Sequence, residues 1–129
     1  MSVVDAGVVV AALTDDEDLG ERARDALLSE LVLAPSLIDL EVVSAVRRMA
    51  RREGLPLGRA RDAIAALKEL AVERVHHHLL VARCWELRDN VTPYDAAYVA
   101  LAEMHSTTLV TVDRRLATSP GPTCPFEVL

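Results

Sequence analysis

Apolar residues run along this chain in two patterns. Short runs of β-branched or aliphatic residues occur at Ser2–Asp5, Leu31–Ala34, Val72–Val75 and Thr108–Val112, and each reads as a strand. Between them, apolar positions recur at helical spacing. Ala6–Leu13 predicts a short helix closing at Thr14. Asp15–Asp18 is an acidic turn, and Asp18 is placed to cap a helix over 19–29 with Leu19, Ala23, Ala26 and Leu27 on one face. Pro35 stops the second strand. Ser36 then caps a helix from Leu37 to about Glu53, ended by Gly54. Further helices are expected over Leu57–Leu70, His78–Asp89 and the Ala-rich Thr92–His105. Ser119–Pro125 reads as a loop and Phe126–Leu129 as an edge strand.

Strands that alternate with helices and are apolar along their length imply an α/β domain: a mostly parallel sheet of four to five short strands, flanked by helices on both faces. At 129 residues, 1–129 is one domain. Half the chain is apolar, enough for a core without disulfides or structural metal. No run of 18 uncharged apolar residues exists, so no membrane partner is expected. MSVVDAG lacks a basic leader and an apolar signal core and reads as part of the fold. Cys84 and Cys124 have no metal-binding spacing and read as free thiols of a cytoplasmic protein.

Net charge is −6, which argues against bulk binding of nucleic acid, but the charge is unevenly spread. Residues 1–33 carry eight acids, Glu30 among them, against Arg22 and Arg24; residues 34–75 carry six acids against eight bases, with Arg47, Arg48, Arg51 and Arg52 clustered.

In a parallel sheet the ligand crevice lies beyond the carboxyl ends of the strands. Two apolar runs end there on an acid, Val3-Val4-Asp5 and Val110-Thr111-Val112-Asp113, and the two carboxylates converge if their strands are neighbours. Each also fits a helix or turn cap. Asp39, in Ser36-Leu37-Ile38-Asp39, and Asp95, in Thr92-Pro93-Tyr94-Asp95, both fit capping boxes. Glu41 sits between Leu37 and Ala45 on a helix, beside its apolar stripe, where it either pairs with an arginine such as Arg48 or faces a cation. Clustered carboxylates repel unless a divalent ion neutralises them, and an oxygen-only set suits Mg2+ or Mn2+. Such an ion makes a bound water more acidic and stabilises charge on a phosphate, which is the chemistry of phosphodiester hydrolysis.

The segments Val3-Val4-Asp5-Ala6-Gly7, Ala34-Pro35-Ser36 through Leu40-Glu41-Val42, Thr92 through Glu103 with its Asp95-Ala96-Ala97-Tyr98 core, and Leu109-Val110-Thr111-Val112-Asp113 together resemble the PIN-domain ribonucleases, specifically the VapC toxins of toxin–antitoxin (VapBC) pairs. The resemblance covers nearly the whole chain. It implies a PIN-like three-layer sandwich and a metal-dependent endoribonuclease. In it Asp5, Glu41, Asp95 and Asp113 hold Mg2+ or Mn2+, with Asp5 and Asp95 as the main ligands and Thr111 bonded within the cluster. It also implies a homodimer, a VapB-type antitoxin that blocks the site, and structured RNA such as tRNA or rRNA as substrate. One departure is Gly7, where the family carries Ser or Thr; weakened metal binding is expected from it.

Two other readings stay open. A catalytically impaired PIN fold serving as a binding or regulatory module is motivated by Gly7. A receiver-like phosphoacceptor would want a lysine at a late strand end, whereas the only lysine, Lys68, lies in a predicted helix. His76-His77-His78 reads as a strand-to-helix junction, because consecutive side chains on a strand alternate faces. The Arg47–Arg52 cluster is either a solvated face or a phosphate track including Arg48, and Arg114 and Arg115 stand next to the predicted site where they could touch phosphate. Trp85, Leu79, Leu80 and Leu87 read as core or interface.

Overall fold

The computed structural model describes residues 1–29 and 31–129; Glu30 lies outside the described residues. Five strands, β1 (Ser2–Val4), β2 (Val32–Pro35), β3 (Glu73–Val75), β4 (Leu109–Thr111) and β5 (Phe126–Val128), form one sheet in the order β3-β2-β1-β4-β5. All four neighbouring pairs are parallel. The central strands are buried throughout: Val3, Val4, Val32, Leu33, Ala34, Leu109 and Val110 all lie in the core. Edge strands β3 and β5 expose Glu73 and Glu127, charges that discourage pairing with another sheet.

The helices are α1 (Ala6–Thr14), α2 (Asp18–Ala26), α3 (Ile38–Arg52), α4 (Leu57–Glu69), α5 (Val81–Glu86), α6 (Pro93–Met104) and α7 (Arg114–Ala117). Helix α1 packs on α2, α3 and α4, while α5 packs on α6. Right-handed crossovers assign the first group to one face of the sheet and the second to the other. Helix α6 lies against β1, β2 and β4. Its residues Ala96 through Ala102 are buried without a break, and four alanines among them let the helix sit close to the strands. Among the described residues no helix is long and apolar enough to cross a membrane.

The chain builds outward from β1 to β2 and β3, then returns to add β4 and β5 on the other side. The order therefore reverses between β1 and β4, and the crevice of such a sheet opens beyond the carboxyl ends of those two strands. Asp5 and Asp113 occupy that edge.

Several expected caps differ. Ser36 does not cap α3: its hydroxyl donates to the Val75 carbonyl at 3.1 Å, and its N–H donates to the same oxygen. The helix starts at Ile38 with Leu37 in the cap position and no side-chain cap. Asp39 instead pairs with Arg74 at 2.9 Å, tying α3 to the edge strand. Asp18 is the first residue of α2 rather than its cap, and the turn is held by Asp15, which accepts from the Glu17 N–H at 2.7 Å. The expected helix 78–89 is a 3-10 turn, His77–Leu80, followed by α5. The three histidines do stand at a strand-to-helix junction. Helix α7 has four residues and no periodic pattern to announce it. Gly54 behaves as expected, turning the chain after α3 at φ +76°. Cys84 and Cys124 are free thiols.

Candidate acidic site

Asp5 follows β1 directly and opens α1, where its Oδ1 accepts the Val8 N–H at 3.0 Å. Its Oδ2 accepts the hydroxyl of Thr111, the last residue of β4, which is fully buried. The register of β1 on β4, Val3 with Leu109 and Val4 with Val110, brings these residues abreast. The Thr111 oxygen in turn accepts the Asp113 N–H at 3.0 Å. One hydroxyl thus joins the ends of two adjacent strands. Asp113 caps α7, its Oδ1 accepting from the Arg115 N–H at 2.9 Å. Each capping role foreseen for Asp5 and Asp113 is therefore real, and both still leave a carboxylate at the crevice.

Asp95 lies in the first turn of α6, which is capped by the Thr92 hydroxyl at 3.2 Å from the Asp95 N–H. The capping box accounts for the backbone of Asp95; its carboxylate has no ion pair among the described residues. Glu41 reaches the site from α3. It does not pair with Arg48, whose nearest acid is Glu53 at 3.9 Å. It accepts instead from the Tyr98 hydroxyl at 2.7 Å.

Electrostatics mark these acids as one group. Burial pushes the Asp5 carboxyl above its ordinary range, and the charges of Asp95 and Asp113 push it further, against the pull of its two hydrogen bonds. Burial likewise raises Glu41, with Asp95 and Asp5 adding to the effect. Asp95 is raised by burial and then by Asp113, with Arg115 acting in the opposite sense. Asp5, nine-tenths buried, has no cationic side chain as a hydrogen-bond partner. The acids are neighbours without converging: among the described residues no three His, Cys, Asp or Glu side chains are grouped as ligands of a single ion. The donor set, oxygen only and net negative, has the chemistry of a Mg2+ or Mn2+ site, in which one or two carboxylates bind directly and water completes the shell.

Gly7 lies two residues after Asp5. A Cβ on it would stand 2.6 Å from Cγ2 of Val112 and 3.4 Å from Oδ1 of Asp5. The methyl of Val112 thus fills the space a side chain at position 7 would use. Beside the acids a groove of about 540 Å3 runs between α1 and α3, lined by Gly7, Leu19, Glu41, Arg48, Met49 and Val112 among others. Arg47, Arg48, Arg51 and Arg52 continue from it along α3. Arg114 and Arg115 are exposed at the start of α7, with Arg115 3.8 Å from Asp113.

Leu80 and Leu87 are core, whereas Leu79 and Trp85 are about two-thirds exposed. Trp85 lies under the Arg88 guanidinium at 4.4 Å and, with Val81 and Tyr94, borders an apolar hollow. Tyr98 was visible in the sequence as part of the Asp95-Ala96-Ala97-Tyr98 run but carried no assigned role. Its spacing of three from Asp95, which puts both on one helix face, was the available signal.

Among solved structures, the sarcin-ricin-loop-cleaving toxin VapC20 of Mycobacterium tuberculosis matches at a TM-score of 0.67 and 16% identity, over 90% of this chain and 92% of that one. A chain of a toxin–antitoxin complex from Klebsiella pneumoniae matches at 0.62 and 19% identity, over 99% and 100%. At such identities the likeness concerns the fold. The sequence pattern of the PIN domain matches residues 2–120. The chain belongs to the PIN-domain family. Within that family this PIN domain is 40% identical, over 129 residues, to a VapC ribonuclease of Mycobacterium bovis, covering all of this chain and 98% of the other. It is also 40% identical over 128 residues to ribonuclease VapC1 of Mycobacterium tuberculosis, covering 98% and 96%. The PIN domain described here is thus of the VapC type, and the receiver-like reading falls away.

Proposed function

We propose that this PIN protein is a divalent-metal-dependent endoribonuclease, the toxin of a toxin–antitoxin pair, with Asp5, Glu41, Asp95 and Asp113 as its metal-holding acids. The observation that carries the reading is the buried Asp5 carboxylate at the switch point of the sheet, held by two neutral donors and crowded by other acids rather than neutralised by a base. Such a group gains stability from a bound cation. Mg2+ or Mn2+ would supply an acidified water and charge stabilisation on the scissile phosphate. The chain's own contribution is positional. Val8 N–H and Thr111 fix Asp5, Thr111 and the α7 cap fix Asp113, and Tyr98 fixes Glu41. Side chains already ordered lose little freedom when the ion and substrate arrive.

The substrate in this reading is structured RNA such as tRNA or rRNA. Arg48, on the groove beside Glu41, and Arg114 and Arg115, next to Asp113, are exposed and would meet backbone phosphates, whose counterion release makes binding salt-sensitive. A VapB-type antitoxin would fill the groove beside Glu41 and so cover the acids. A homodimer would bury the exposed apolar face of Val81, Trp85 and Tyr94. The two free cysteines accord with a cytoplasmic protein. The alternative of an impaired binding module rested on Gly7. Asp5 keeps two donors without a hydroxyl at that position, which weighs against it.

The test is cleavage of total cellular RNA by the antitoxin-free protein with Mn2+ or Mg2+, with EDTA, and with Asp5→Ala and Asp95→Ala. Removing a ligand forfeits several kcal/mol of transition-state stabilisation, so each variant should lose at least about a hundredfold in rate. Cleavage that survives EDTA, or survives both substitutions, would overturn the proposal.

A further inference from the structure

Glu41 is the one acid of the four that comes from outside the β1–β4 edge and α6, and among the described residues its carboxylate has a single side-chain partner. That partner, Tyr98, is among the largest fully buried side chains of the protein, at 1% exposure. Its hydroxyl lies 2.7 Å from Oε1 of Glu41, across 57 positions of sequence and between two helices, α3 and α6. A tyrosine hydroxyl can donate to a carboxylate but brings no charge. An arginine in the same place would neutralise the acid; the tyrosine orders it and leaves its negative charge intact. Thr111 does the same for Asp5. The two acids are therefore held by the same kind of group, a buried neutral hydroxyl, Tyr98 from α6 and Thr111 from the end of β4.

A purely space-filling role would be met by phenylalanine, whereas a buried tyrosine hydroxyl needs a hydrogen-bond partner. Here the hydroxyl meets an acid of the cluster. Tyr98 also follows Asp95 by one helical turn, so the same stretch of α6 delivers one acid and anchors another. The terminal torsion of a glutamate is broad and two-fold, and one donor on Oε1 settles it.

We infer that Tyr98 is a positioning residue of the acidic site, ordering Glu41 so that its second oxygen stays available to a divalent cation or to that cation's water. The inference rests on the metal-holding role proposed above for the four acids.

The experiment is calorimetric titration of Mn2+ into the antitoxin-free full-length protein, its Tyr98→Phe, Glu41→Ala and Asp95→Ala variants, and the Tyr98→Phe/Glu41→Ala double variant, with metal-free melting measured on each. Partners that orient metal ligands typically matter by tenfold or more, so Tyr98→Phe should weaken Mn2+ affinity about tenfold. It should cause no further loss once Glu41 is alanine. The Mn2+ dependence of RNA cleavage should move to higher concentration by the same factor. If Tyr98→Phe binds Mn2+ like the wild type while Asp95→Ala does not, or if the two losses add in the double variant, Tyr98 does not act through Glu41 and the inference falls. A lower melting temperature with unchanged Mn2+ affinity would mark the hydroxyl as structural only, with the same consequence. If Asp95→Ala binds Mn2+ like the wild type, the metal-holding reading itself is lost, and the inference with it.

Discussion

The acids proposed to hold the metal have a titration signature that can be measured. Burial, aided by neighbouring acids, holds Asp5, Glu41 and Asp95 above the ordinary carboxylate range in the folded protein. In the unfolded chain they titrate near about pH 4. Between those limits the folded state binds more protons, so the contribution of these groups to stability is full below the unfolded values and declines as pH rises through the raised ones. The metal-free protein should therefore melt lower at neutral than at mildly acidic pH on their account, and Mn2+ should restore the loss. Asp95→Asn should raise the metal-free melting temperature at neutral pH, flatten its pH dependence and abolish stabilisation by Mn2+; an unchanged pH profile would contradict this. Gly7→Ser tests the other side of the pocket. Its Cβ would press on Val112, and overpacking of this kind costs about 1–3 kcal/mol. Denaturant unfolding should show that loss, with Gly7→Ser/Val112→Ala recovering most of it. Asp5 and Asp113 stand out in the sequence because each follows an apolar strand, Asp95 because it opens a helix, and Glu41 because it lies beside the apolar stripe of its helix. The partner of Glu41 was not, since Tyr98 is 57 residues away and local spacing offered Arg48 instead.

Elements were legible where their patterns are long or strongly apolar. Strands β1, β2 and β4 and helices α4 and α6 fall within a residue or two of their expected places, because burial on both faces and unbroken helical spacing leave few alternatives. Caps were less legible, because a capping motif describes only its own neighbourhood. Ser36 and Asp39 satisfy the capping box, yet β3 arrives alongside and claims both, through the Val75 carbonyl and Arg74. Arg74 is the larger organiser. Its guanidinium also donates to the carbonyls of Leu67, Leu70 and Val72, so it joins the end of α4, the edge strand and the start of the helix that carries Glu41. Charge-assisted hydrogen bonds of this sort contribute about 1.5–3 kcal/mol each at most, reduced here by partial exposure. Arg74→Ala should cost about 2 kcal/mol in denaturant unfolding. Arg74→Lys should recover little, since an ammonium cannot reproduce the fork. Full recovery by lysine would show that charge alone is at work.

The whole molecule places its acids by topology. The sequence implied a parallel sheet and left the proximity of Asp5 and Asp113 conditional on neighbouring strands; the order β3-β2-β1-β4-β5 sets β1 beside β4. No periodicity within a strand reveals which strand lies beside it. The exposed Trp85 face belongs to this scale as well. If two copies pair there, Trp85→Glu should convert a dimer to a monomer by light scattering, and melting should lose its dependence on protein concentration, because the indole is about two-thirds exposed in the single chain and would be covered only by the second copy. A dimer that persists in the variant would place the interface elsewhere. The central claim, that Asp5, Glu41, Asp95 and Asp113 hold a divalent cation, is tested most directly by crystals of the antitoxin-free protein soaked in Mn2+ and measured for anomalous scattering. A manganese peak among these four carboxylates, absent from Asp95→Ala crystals grown alike, is the result expected. Full Mn2+ occupancy at some other place, with none among the four acids, would contradict it.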